Sequence, residues 1–212
     1  MKKDNSANFK QSTVLPWIEM RIASQSTACY AAHSHDEFSF GIIQQGKADY
    51  RNHNSTHHIG RGDIVTINPA DVHSCNPEAG TWSYSMLFVD TKQMGAIQRE
   101  VLGQSHAGYR ADYTPFRHAF ERSEPIRNHY LALFNDLQSE VSQLQVQTRL
   151  YDFIEAVHVQ SSMEVKPSPS SSLKRVQEKL LDNVSETHQL EHLAQEAQMS
   201  RYQLLRAFKH YY

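Results

Sequence analysis

A chain of 212 residues with 39% hydrophobic and 21% charged side chains has the make-up of an ordinary folded protein of one or two domains. Its apolar runs, such as Met86-Leu-Phe-Val89, are too short to span a membrane, and Met1-Lys-Lys-Asp-Asn is followed by no apolar secretion segment, so a cytoplasmic location without membrane association is expected. Two cysteines, Cys29 and Cys75, exclude a disulfide framework, no Cys-x-x-Cys pair points to zinc, and a net charge of −2 excludes a broadly basic, nucleic-acid-coating protein.

From residue 38 onward, apolar and polar residues alternate between Gly, Asn and Pro punctuation, the pattern of short strands in an all-β barrel or sandwich. Strands are expected over 38–44, 46–51, 63–67 and 81–89, with turns at Gly46, Gly60, Gly62, Asn68-Pro69 and Asn76-Pro77. His33-Ser-His35-Asp-Glu37, if extended, presents His33, His35 and Glu37 on one side, and His73 follows the run Gly62-Asp-Ile-Val-Thr-Ile-Asn-Pro69. Two readings stay open: polar groups lining a small-molecule pocket, or a three-His, one-carboxylate site for iron, manganese or zinc. Trp82, Tyr84, Met86 and Phe88 share one face of strand 81–89 and are either plain core or the apolar wall of that pocket. His53, His57 and His58 read as solvated side chains in a polar turn.

A short helix is expected over 96–102. The stretch 126–159 carries Leu131, Phe134, Leu137, Val141 and Leu144, then Leu150, Phe153, Ile154 and Val157, the spacing of an antiparallel helix pair bent near 138–140. Residues 166–172, Lys-Pro-Ser-Pro-Ser-Ser-Ser, read as a linker. Beyond it, Leu173, Val176, Leu180 and Leu181 form one apolar stripe, Leu190, Leu193, Ala194 and Ala197 a second, and Leu204, Leu205 and Phe208 a third. Gln198-Met199 is the turn between the last two, with Ser200 as N-cap and Gln203 completing a capping box. Such a helix-turn-helix offers the start of its second helix to the major groove of DNA, where Arg206 suits guanine, Tyr202 a base edge, and Arg201 or Lys209 phosphates. The plainer alternative is an amphipathic hairpin with a solvated basic face. Residues 166–212 carry seven Lys and Arg against five acids, a net +2, whereas the rest of the chain carries −4. That division fits an effector module joined to a modest DNA module.

The segment Leu190 to Lys209 resembles the first helix-turn-helix of AraC-type bacterial transcription regulators, Leu-x-x-Leu-Ala-x-x-x-x-Met-Ser-x-x-x-Leu-x-Arg-x-Phe-Lys, at each of those positions. The resemblance assigns Ser200, Arg201, Tyr202, Leu205, Arg206 and Lys209 to the DNA face, and it implies double-stranded promoter DNA, a small-molecule effector and a second copy of the chain as partners. Gln198 stands where the family usually has Gly, and a positive φ there would strain the turn by about 1 kcal/mol. The family carries two such units; one is present here, so the chain reads as truncated at its C-terminus. The His-x-His and Gly-Asp…Pro…His runs are similar to the two cupin motifs. Catalytic cupins place three or four residues between the second His and the Glu, whereas only Asp36 intervenes here. The implied architecture is α+β: a cupin-like effector barrel over 1–95, a helical dimerisation region over 96–165, the linker 166–172 and a partial DNA-binding domain over 173–212. His33, His35, Glu37, His73, Trp82 and Tyr84 are then expected to bind the effector, with no catalytic residue, metal or cofactor. A metal-dependent cupin enzyme is the alternative, as is a regulator competent only to bind effector and dimerise.

Overall fold

The computed structural model of the chain describes residues 6–102, 113–139, 141–162, 171–199, 201, 204–205, 207–208 and 212. Eight strands come first: β1 (Ala7–Gln11), β2 (Ile18–Ser26), β3 (Phe38–Gln45), β4 (Lys47–Asn52), β5 (Ser55–Gly60), β6 (Ile64–Ile67), β7 (His73–Pro77) and β8 (Trp82–Val89). Helix α1 (Thr91–Leu102), the short β9 (Phe120–Glu121), α2 (Glu124–Gln138), α3 (Gln143–Ser162), α4 (Ser171–Asp182) and α5 (Leu190–Ala197) follow. The strands form a six-stranded sheet in the order β1-β2-β8-β3-β6-β9 and a three-stranded sheet in the order β5-β4-β7. All pairings are antiparallel. The chain is α+β, a cupin-like β-sandwich followed by helices.

Period-two alternation sends successive side chains to opposite faces of a strand, and in β3, β6 and β8 of the six-stranded sheet both faces are buried. Ile43, Val65, Ile67, Trp82 and Tyr84 pack inward against Ala48, Tyr50 and Ile59 of the smaller sheet. Phe38, Phe40, Ile42, Leu87 and Val89 pack outward against Met94, Ile126, Tyr130, Leu133, Phe153 and Val157 of α1, α2 and α3. The helices are thus fastened to the barrel by a core of their own. Phe40 stacks on Phe153, ring centroids 4.6 Å apart and 20° from parallel. The Tyr130 hydroxyl, wholly buried, donates to the Ser85 carbonyl at 2.9 Å.

The four strands expected from alternation are present within a residue at each end, and the bent helix pair is α2 and α3. Helix α1 starts earlier than expected because the Asp90 carboxylate accepts from the backbone N–H of Lys92 and Gln93, both at 3.0 Å, and so caps it. His57 and His58 are not in a turn. They lie in β5, with the turn confined to His53 and Asn54, and the His57 ring packs 5.1 Å from Phe120. Leu131 and Leu144, read as part of the apolar stripe, are 44% and 73% exposed on α2 and α3.

Toward the C-terminus, Leu173, Val176, Leu193, Ala194, Ala197 and Leu204 bury one another in a small separate core. Leu181 is exposed rather than part of that stripe. Gln198 ends α5 at φ 56, ψ 40, the left-handed conformation that the glycine usual at this position would adopt without strain. Its N–H bonds to Gln195 O at 3.0 Å and the Met199 N–H to Ala194 O at 2.9 Å, the paired bonds of a Schellman cap, while Met199 packs on the core.

Candidate effector site

Strand β8 carries the wall of an internal cavity of about 70 Å³, room for roughly five waters. Trp82, Tyr84, Met86 and Phe88 all line it, while the residues between them face the helices or the sheet's other side. Opposite Met86 in the register stands Gly41 of β3, where a Cβ would lie 2.2 Å from both Met86 Sδ and the Ser85 carbonyl oxygen. The missing side chain of Gly41 is what lets Met86 fold across the cavity.

Three of the four polar groups expected at the site meet there. His33 and His73 form an antiparallel bridge, with backbone bonds of 3.0 and 2.9 Å, so the loop before β3 is tied to β7. The bridge brings the His33 and His73 rings to 4.5 Å, with His35 5.0 Å from His73 and 5.5 Å from Phe88. All three line the cavity: His33 is exposed at the mouth, and His73 is 5% exposed inside. Nδ1 of His33, His35 and His73 lies 2.9, 3.0 and 2.9 Å from the carbonyl oxygens of Ala31, Glu37 and Asp71 respectively. Since a carbonyl oxygen only accepts, each Nδ1 carries the proton, and in a neutral ring Nε2 accepts, as that of His35 does from the Ser39 hydroxyl at 3.3 Å. Burial lowers the pKa of His35, and burial pushes that of His73 down to about 4.

Glu37 departs from expectation. The segment 31–37 is not a strand, and β3 begins only at Phe38, so the alternation that brings His33 and His35 together does not extend to Glu37. Its backbone carbonyl orients His35, but its side chain is 51% exposed and does not line the cavity. Among the described residues, the imidazole and carboxylate ligand atoms close enough to share one ion are those of Asp49, His58 and Glu78, on the outer face of the small sheet. There His58 Nδ1 lies 2.8 Å from Asp49 Oδ1 and 3.1 Å from Glu78 Oε1, an exposed hydrogen-bonded cluster. The barrel imidazoles do not bring their ligating atoms that close together.

Sequence reasoning missed Arg21, Tyr30, Ser39 and Cys75, which also line the cavity. The guanidinium of Arg21 lies 5.1, 4.9 and 5.4 Å from the ring centres of Phe9, Tyr30 and Tyr84, and it donates to the Tyr30 hydroxyl. Alternation in Ile18-Glu-Met-Arg-Ile22 could have found it, since Ile18, Met20 and Ile22 pack toward the helices and leave Arg21 on the cavity face. Cys75 lies two residues beyond His73 on the same face of β7, and burial pushes its thiol up to about 12, the opposite of a reactive thiolate.

Of the residues expected to face DNA, Arg201 is exposed and its guanidinium pairs with the Glu191 carboxylate of α5, while Leu205 is 53% exposed. Ser200, Tyr202, Arg206 and Lys209, together with Gln203 and most of the expected linker, lie outside the described residues. No described helix is long and apolar enough to cross a membrane.

A two-sheet β-barrel with an internal, histidine-edged cavity and helices packed on one outer face is a cupin-like ligand-binding barrel. Residues 17–154, well over half of the chain, match the AraC-like ligand binding domain, and the chain belongs to that family. It is 27% identical over 177 residues to the uncharacterized HTH-type transcriptional regulator YbfI of Bacillus subtilis (strain 168), covering 83% of this chain and 64% of that one. The chain therefore spans less than two thirds of the length of that curated relative. Among solved structures, ToxT from Vibrio cholerae superposes with a TM-score of 0.51 at 11% identity, covering 98% of this chain and 76% of ToxT, a likeness of fold alone. A mutant of Bacillus subtilis oxalate decarboxylase OxdC reaches a TM-score of 0.38 at 16% identity over 51% of this chain and 34% of that one, too low to bear on activity.

Proposed function

We propose that the chain is the ligand-sensing and first DNA-reading part of a transcription regulator rather than an enzyme. The observation that carries this reading is the cavity edged by His33, His35 and His73 and walled by Trp82 and Tyr84, open at the exposed His33, in a chain that belongs to a ligand-binding domain family. A pocket with an apolar wall and a few fixed polar groups suits one small molecule. On this reading residues 1–95 bind the effector and 96–165 join two copies through exposed apolar positions such as Leu131 and Leu144. Residues 166–172 link this part to 173–212, which contact promoter DNA through Arg201, Tyr202, Leu205, Arg206 and Lys209, with Ser200 capping the reading helix, in the cytoplasm. The alternative of a metal-dependent cupin enzyme has less support, because the barrel imidazoles do not bring their ligand atoms together and Glu37 stands outside the cavity.

The test is a thermal-melting screen of the full chain against a library of small metabolites, run beside Ser39→Phe, which fills the cavity. A compound that raises the melting temperature of the wild type and not of Ser39→Phe is expected. If every stabilising compound acts equally on both proteins, the cavity is not the effector site.

A further inference from the structure

The outer face of the small sheet gathers three metal-ligating side chains from three adjacent lengths of backbone. Asp49 of β4 and His58 of β5 stand directly opposite each other in the strand register. The Glu78 N–H bonds to the Lys47 carbonyl at 3.1 Å, which pins the residue after β7 beside them. Ala48, Tyr50 and Ile59, their neighbours in sequence, are buried toward the barrel, so the period of two turns Asp49 and His58 outward. One imidazole nitrogen and two carboxylate oxygens, each from a different residue, lie there within 4.8 Å of one another.

The cluster is short of a positive partner. A neutral imidazole has a single N–H, and at His58 the Nδ1 hydrogen serves Glu78 Oε1 at 3.1 Å. Asp49 Oδ1 lies 2.8 Å from the same nitrogen but outside hydrogen-bond geometry; it is shielded from solvent and receives no hydrogen bond from any described group. A shielded carboxylate oxygen without a donor has lost its hydration with no return, and a cation shared by the three atoms restores the balance. The spacing suits one. Bonds of about 2.0–2.2 Å, as zinc makes to imidazole and carboxylate, set neighbouring ligand atoms about 3–3.5 Å apart. Both distances from His58 Nδ1 are close to that, and the exposed Glu78 side chain can turn to close the third. One nitrogen with two oxygens selects zinc or a similar first-row divalent ion over calcium and magnesium, which take oxygen ligands. Lys47 and Arg61 line the hollow beside His58 and Glu78, while Arg122 is held by Asp63 and the His58 carbonyl. Their charge partly cancels that of the carboxylates, so a micromolar rather than nanomolar affinity is expected.

We propose that Asp49, His58 and Glu78 bind one divalent transition-metal ion, zinc or a close relative, as a clip across the small sheet on the face opposite the effector cavity. The ion takes the place of the Nδ1 proton, and the neutral ring carries its hydrogen on Nε2 instead. Joining β4, β5 and the residue after β7, the ion stabilises the folded chain by mass action. The site stands whether or not the barrel is a sensor.

Calorimetric titration of the full chain with zinc chloride, after removal of metal by chelator and dialysis, is expected to show binding of micromolar affinity. His58→Gln and, separately, Asp49→Asn weaken it about tenfold or more. His73→Gln, which removes an imidazole from the barrel, leaves it unchanged, and calcium and magnesium chlorides do not substitute. Saturating zinc raises the melting temperature of the wild type and not of His58→Gln. Broadening by Mn²⁺ of the amide resonances of Asp49, His58 and Glu78 in the wild type locates the ion with no variant at all, so a variant that misfolds leaves the test intact. Absence of zinc binding up to millimolar concentration overturns the proposal. So does binding lost in His73→Gln and kept in His58→Gln, which would place the ion at the barrel imidazoles. Binding kept in every variant would mean adventitious zinc elsewhere on the chain and overturns it equally.

Discussion

His73 makes the stability of the barrel depend on pH in a calculable way. Its ring is 5% exposed, sits 4.5 and 5.0 Å from two other imidazoles, and donates from Nδ1 to the Asp71 carbonyl. Desolvation is the largest influence on it and disfavours the charged ring, pushing its pKa from 6.5 down to about 4. Above pH 6.5 the ring is neutral in both the folded and the unfolded chain, and its contribution to stability is fully present. Below 6.5 the unfolded chain takes up a proton that the folded chain refuses, so stability falls as pH drops toward 4. The slope approaches about 1.4 kcal/mol per pH unit, and the whole window amounts to about 3 kcal/mol. His35 is shifted downward as well and adds to the fall. His53 acts oppositely: its hydrogen bond to Asp71, 3.0 Å long, raises its pKa, so its contribution is complete at low pH and fades as pH rises. The quantity to measure is therefore the difference between wild type and His73→Gln in urea denaturation, followed by tryptophan fluorescence at pH 7.5, 6.0 and 5.0. The wild type is expected to lose about 1 kcal/mol or more relative to the variant between pH 6.0 and 5.0. Parallel curves would refute the claim that buried His73 is held neutral.

Gln198→Gly is expected to stabilise the C-terminal core by about 0.5–1 kcal/mol, the relief of a left-handed non-glycine residue less the entropy of the freer unfolded chain. Gln198→Ala keeps the strain and serves as the control, with amide exchange of α5 reporting both. Phe153→Ala empties the position stacked on Phe40 in the core between helices and sheet, and a loss of about 3–5 kcal/mol in chemical denaturation is expected. Gly41→Ala places its methyl carbon against a backbone carbonyl that belongs to the strand ladder and cannot swing away, so a loss of about 3 kcal/mol is expected, together with weakened binding in the cavity. A neutral outcome would mean that β3 and β8 part easily. Leu131→Asp combined with Leu144→Asp touches exposed side chains only and, on the proposed dimerisation through these helices, is expected to give a monomer in sedimentation where the wild type gives a dimer, without lowering the melting temperature. An unchanged mass would place the dimer contact elsewhere.

How much of this was legible in the sequence depends on which residues alternate and what lies on either side of them. Alternation located β3, β4, β6 and β8, and 3.6-residue spacing located α2 and α3, because in each the buried face is apolar. It missed β5 and β7, whose inward residues include His57, His73 and Cys75, and it passed over β2, where the side chain reaching the cavity is Arg21. Where a cavity carries its few polar groups the usual rule inverts: β2 and β7 turn Arg21, His73 and Cys75 inward, and a search for apolar faces rejects them. The same inversion explains the error at Glu37. His33, His35 and Glu37 look like one face of one strand, yet the segment has a single bridge at His33 and one further backbone bond, from Ala70 N–H to the His35 carbonyl, before the ladder resumes at Phe38, and a spacing of two has no directional meaning where no ladder enforces it. Strand β8 shows the limit from the other side. Trp82, Tyr84, Leu87 and Val89 are all at most 3% exposed, so alternation can divide its residues into two sets but cannot say which set faces the cavity. That choice is made by the partners each set meets. Leu87 and Val89 share the core of α1, α2 and α3, whose apolar stripes need a surface to cover, and this leaves the aromatic set to face the histidines.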